Sequence, residues 1–119
     1  MMPIVLNNIA FVDVILDRPE LLPEADDYSR QALESMPTLA PFKGTRGMVL
    51  AGLGQYDEGV ALLKQALKGN TENESKAINA FCLALAAKQR GFESESECYN
   101  SLARKLDPNC FLLTRLATS

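Results

Sequence analysis

Residues 47–69, GMVLAGLGQYDEGVALLKQALKG, decide the fold. Val49, Leu50 and Leu53 close an apolar helical stripe that opens after Pro41, and Gly54 breaks it. Tyr56-Asp57-Glu58 then starts a second helix, because acidic side chains are favoured at the positive end of the helix dipole. Val60, Leu63, Ala66 and Leu67 recur on one face of that helix, and Gly69 is expected to be its C-cap. Two amphipathic helices separated by so short a turn have to fold back on each other to bury their apolar faces.

The same unit can be followed in both directions. Toward the N-terminus, Leu6, Ile9, Ala10, Val14 and Leu16 recur at helical spacing after Pro3, a residue suited to a helix start. Pro19 interrupts this helix, and a partner is expected from about Pro23 to Met36, with Pro37 as its stop. Toward the C-terminus, the polar run from Gly69 to Ser75 reads as a loop with Ser75 as N-cap. The helix after it carries Ala77, Phe81, Ala84 and Leu85 and ends at Arg90-Gly91, and its partner spans Ser94 to Leu106 before Asp107-Pro108. The apolar tail 111–119 is expected to supply a short capping helix over the last hairpin. No segment alternates as a strand does.

Ala32 and Ala66 stand 34 residues apart, and Ala103 follows 37 after Ala66, which fits the same period if the polar run holds about three extra residues. The pattern resembles the tetratricopeptide repeat. Gly47 and Ala84 match the family's small residue in the first helix, Gly54 and Gly91 its turn glycine, and Ala25, Gly59 and Ser96 its small residue early in the second helix. Ala32, Ala66 and Ala103 match the later small residue, and Pro37 and Pro108 the closing proline. The resemblance implies an all-α, right-handed α-solenoid of about three stacked helix-turn-helix hairpins in one domain, with approximate repeats at 3–39, 40–73 and 74–110. Departures are Arg46 where the family prefers Leu, Gly69-Asn70 in place of a closing Asp-Pro, and about three residues inserted around Pro19 to Leu22 in the first repeat. Arg46 is expected to seek an acid of the first hairpin, Asp26, Asp27 or Glu34. Asn7-Asn8-Ile9-Ala10 and Gly44-Thr45-Arg46-Gly47 are also similar to tetratricopeptide tails of bacterial membrane proteins such as intramembrane metalloproteases.

Composition narrows the function classes. The 119-residue chain is 47% hydrophobic and carries a net charge of −3, which disfavours phosphate backbones and anionic membrane surfaces. It has no histidine, so the usual triads and zinc sets are missing, and no enzyme activity, metal or cofactor is expected. Gly44, Gly47, Gly52 and Gly54 lack the Gly-Lys-Ser/Thr ending of a phosphate loop. Three cysteines at irregular spacing point to a reducing, cytoplasmic setting, and no signal peptide or membrane span is expected. Met1-Met2-Pro3 leads directly into a helix, as in a segment cut from a longer protein.

The resemblance puts the first helix of each repeat on a concave surface. Asn7, Phe11 and Val14, then Thr45, Met48 and Ala51, then Phe81, Leu85 and Lys88 are the expected partner-binding residues. The expected function is protein–protein interaction through this mostly apolar groove, with a protein or peptide as partner and no nucleic acid. The alternative is a structural role, as a homodimer or as the docking tail of a larger bacterial protein. Lys88 alone does not make a clamp for a C-terminal carboxylate.

Overall fold

The structure, a computed structural model, describes residues 2–16 and 18–110. Among them six α-helices form three hairpins: α1 (Pro3–Ile15) with α2 (Leu22–Ser35), α3 (Ala40–Gly52) with α4 (Tyr56–Gly69), and α5 (Asn73–Gln89) with α6 (Glu93–Leu106). Among the described residues there is no strand. Pro3, Pro23 and Pro41 each sit in the first turn of a helix, where the missing N–H costs nothing. The radius of gyration is 13.1 Å, that of a tightly packed chain of this length.

Two turns share one device. Gly54 and Gly91 have φ of +85° and +79°, the left-handed region in which glycine carries no Cβ penalty. Gln55 N–H donates to the Leu50 carbonyl at 2.9 Å and Gly54 N–H to that of Ala51 at 3.0 Å; Phe92 and Gly91 repeat the pattern on Ala87 and Lys88. This pair of bonds satisfies the last carbonyls of α3 and α5 and reverses the chain within three residues. The first hairpin lacks such a glycine and closes instead through a 3₁₀ turn at Pro19–Leu21, where the sequence places its insertion.

Small side chains set the distance within each hairpin. A Cβ on Gly47 would lie 2.9 Å from the Gly59 carbonyl oxygen, and one on Gly59 would lie 2.8 Å from the Ala51 nitrogen, so α3 and α4 meet backbone to backbone. Ala10 and Ala25 take these places in the first hairpin, both wholly buried against Val49. In the third, Ser96 Oγ donates to the Ala84 carbonyl at 2.8 Å across the crossing. Ala32, Ala66 and Ala103 are all 0% exposed.

Each helix packs most extensively on its hairpin partner, then on the adjoining hairpin. The first helices also touch one another, α1 on α3 and α3 on α5, while α2, α4 and α6 make no comparable mutual contact among the described residues. The hairpins therefore stack with the first helices as a continuous inner layer. Arg90 ties the second hairpin to the third, lying 5.5 Å from the Tyr56 ring centre and 4.9 Å from that of Phe92, while Tyr56 Oη donates to Gln89 Oε1 at 3.0 Å.

Three local expectations are corrected. Gly69 is the last residue of α4 and not an αL cap; its missing Cβ admits Ala40, which would otherwise stand 3.2 Å away. Ser75 is the third residue of α5, whose N-cap is Glu72, so the extra residues before Ala103 lengthen a helix and leave only a short loop. In α1 the buried face is Leu6, Asn7, Ala10 and Asp13, leaving Leu16 exposed and Ile9 half-buried. The expected cap over 111–119 lies outside the described residues.

The packing makes a direct test of register. Ala66→Leu should destabilise by roughly 1–3 kcal/mol through overpacking, whereas Gln65→Leu, exposed on the same helix, should change the melting temperature little.

Candidate interaction surface

The nine residues expected on the concave face come from α1, α3 and α5, and all three helices do lie in the inner layer. Their side chains do not form one open surface. Phe11 and Val14 are half-buried and pack against a cluster of Met48, Leu63 and Leu83, to which Ile78 and Cys82 of α5 also contribute. Met48 is only 5% exposed and is the floor between α1 and α5. Phe81 is 1% exposed, in a second cluster with Ala77, Ala80, Ala103 and Cys110, and half-buried Leu85 lies against it.

Thr45 is buried, its Oγ1 donating to the Pro41 carbonyl of its own helix at 3.2 Å. Ala51 is half-buried, with its backbone against Gly59, so it belongs to the α3–α4 crossing. Asn7 is buried with no hydrogen-bond partner for Oδ1 among the described residues. Lys88 is exposed and borders a shallow hollow of about 340 Å³ between α5 and α6 with Glu93, Ser96, Glu97 and Asn100. The reason for this dispersal is that neighbouring helices close over the inward sides, burying Met48 with Leu63 and Leu83 and Phe81 with Ala103. Of the nine, Phe11, Val14, Leu85 and Lys88 are the side chains that reach solvent from the inner helices away from the α3–α4 crossing.

Sequence reasoning missed the outward side of α1. Ile4, Val5, Val12 and Leu16 are all more than two-fifths exposed. The signal was present in the nearly unbroken apolar run 4–16, which leaves the helix apolar on more than one face.

Electrostatics concentrate at the first hairpin. Arg46, only 13% exposed at its side chain, reaches Asp26 Oδ1 at 2.6 Å from Nη1, and the same nitrogen donates to the Asp26 carbonyl at 2.9 Å and Ser29 Oγ at 3.1 Å. Asp26 is thus the acid that Arg46 finds, and it also accepts from Arg30 Nη2 at 3.0 Å. The hydrogen bond from Arg46 is the main reason its carboxyl is held below the ordinary value. Asp27 accepts from Gln31 and lies 3.5 Å from Arg30, so part of the acidic face of α2 is neutralised along the helix itself.

Asp13 behaves oppositely. Burial is the larger cause, and contact with the Glu24 carboxylate across the α1–α2 crossing the second, of a rise from 3.8 to about 6. Its Oδ2 has no hydrogen-bond partner among the described residues. No group of three or more His, Cys, Asp or Glu side chains able to hold a metal ion is present among them. Nor is any described helix long and apolar enough to cross a membrane. No protein-family model, curated protein or solved structure matches the chain.

Two titrations follow with opposite signs. The lowered Asp26 adds stability that is present above the unfolded value of 3.8 and is lost as pH falls through its folded value. The raised Asp13 binds its proton more tightly when folded, so its contribution is full below 3.8 and is lost as pH rises toward about 6. Asp13→Asn should accordingly stabilise the protein at pH 7 by roughly 1–3 kcal/mol and have much less effect near pH 4, as read by chemical denaturation at the two values. Arg46→Ala should destabilise by about 1–3 kcal/mol, and Arg46→Met by less, since Met retains the packing volume of the stem.

Proposed function

We propose that this chain is a non-catalytic tetratricopeptide-like module that binds a polypeptide segment along its inner helical layer. The observation that carries the reading is the contact of α1 with α3 and of α3 with α5, which sets the first helices of three successive hairpins side by side. A right-handed superhelix, a cytoplasmic setting and the absence of a nucleic-acid ligand belong to the same reading. They are supported by the recurring small residues, the irregular cysteines and the net charge of −3.

The bound segment contacts Phe11 and Val14 on α1 and Leu85 on α5, with Lys88 at the edge. Met48 and Phe81 support this face from beneath. An extended or helical peptide with apolar anchors fits such a surface, since its energy comes from burying a few large side chains.

Selection from a random peptide display library tests the proposal. Enriched peptides should bind with micromolar affinity. Phe11→Glu and Leu85→Glu should weaken them at least tenfold while circular dichroism shows full helical content, and Phe81→Glu should unfold the protein. Failure to enrich any peptide, or unchanged affinity in both surface variants, would remove the inner layer as the binding site.

A further inference from the structure

After α6 the chain turns back onto α5. Asn109 N–H donates to Asp107 Oδ1 at 3.1 Å and Cys110 N–H to the Asp107 carbonyl at 3.1 Å, so the polypeptide reverses directly beyond the helix end. Cys110 is 5% exposed and packs in one cluster with Ala77, Ala80 and Phe81 of α5. Ile15, at the end of α1, and Leu85 pack on that same cluster. Cys110 thus sits at the border of the inner layer, on the side where the end of α1 approaches α5.

The sequence that continues from Cys110 is Phe111-Leu112-Leu113-Thr114-Arg115-Leu116. It is rich in large apolar side chains, and its single charge is positive in a chain of net charge −3. Close to its starting point lie Phe11, Val14 and Ile15 of α1 and Cys82 of α5, all half-buried and resting on the cluster around Met48. Six extended residues reach about 20 Å, and two helix spacings of about 9 Å each separate α5 from α1 through α3, so the segment can cross from one to the other. A segment joined directly to the border of a face also has an effective concentration there on the order of millimolar, which favours it over a free partner of the same chemistry.

We infer that residues 111–116 dock back across the inner layer, from Phe81 toward Val14 and Ile15, and hold that face until an external polypeptide displaces them. The docking follows from where Cys110 is held and from the apolar sequence after it. The displacement rests on the reading of the inner layer as a peptide site.

Nuclear Overhauser contacts between labelled methyl groups of the 119-residue chain test the docking. Contacts are expected from the leucines of 111–116 to Val14, Ile15 and Leu85. The double variant Leu112→Glu, Leu116→Glu should lose them while unfolding as cooperatively as the wild type, because carboxylates are costly to hold on an apolar face. Peptides enriched on the wild-type chain should bind this variant about tenfold more tightly, the gain expected when the segment is docked in about nine molecules of ten. A wild-type chain without contacts to Val14 or Ile15 overturns the inference, and contacts confined to Leu102 and Leu106 of α6 would make the segment a cap on the third hairpin instead. Methyl contacts to α1 with peptide affinity unchanged in the variant overturn the displacement while supporting the docking. A selection that enriches no peptide removes the inner-layer peptide site, and the methyl contacts then decide the docking by themselves.

Discussion

The close crossing within each hairpin is the constraint from which the rest of the structure follows. At Gly47 and Gly59 there is no room for even one methyl group, and at Ala10–Ala25 and Ala84–Ser96 only the smallest side chains intervene. Backbones this near leave large apolar residues only the space beside the crossing point. Larger side chains pack beside the crossings: Leu63 lies against Gly47 and joins Met48 and Leu83 in a cluster that spans all three hairpins, while Phe81 packs on Ala103 within the third hairpin. Tight hairpins and a shared core between them are one solution to one steric problem.

The same crowding explains how far the sequence could be read. Turn glycines at Gly54 and Gly91, helix-starting prolines and the recurring alanines report local requirements, and local requirements are written residue by residue. The hairpins and their order were therefore legible. Gly69 misled because glycine serves two purposes, reversing a chain or admitting a neighbour, and only the position of Ala40 shows which applies. The inner face was misread for a related reason: helical periodicity tells which residues share a side, but not whether another helix closes over that side. Met48 and Phe81 have the spacing of exposed anchors and the burial of core residues.

Charge is used sparingly and to different ends. Arg46 occupies an interior position of α3 and is satisfied by three acceptors on α2, so the first two hairpins are joined by a polar link inside an otherwise apolar seam. A bridge of this kind adds little net stability over a well-packed apolar pair, but it is directional and fixes how α3 is rotated against α2. Asp13 does the reverse, since among the described residues its buried carboxyl meets the Glu24 carboxylate and no cation that lowers it.

The unequal contacts of the two layers have a mechanical consequence. The inner helices touch in succession, whereas α2, α4 and α6 are each held by first helices and, among the described residues, make no comparable contact with one another. Spreading the outer helices peels α2 from α3 and α4 from α5, the most extensive contacts between hairpins, and shortening the inner layer compresses side chains already packed around Met48. Bending is thus opposed on both sides, by separation of packed helices on one and by compression on the other, as in a strip glued across its whole width.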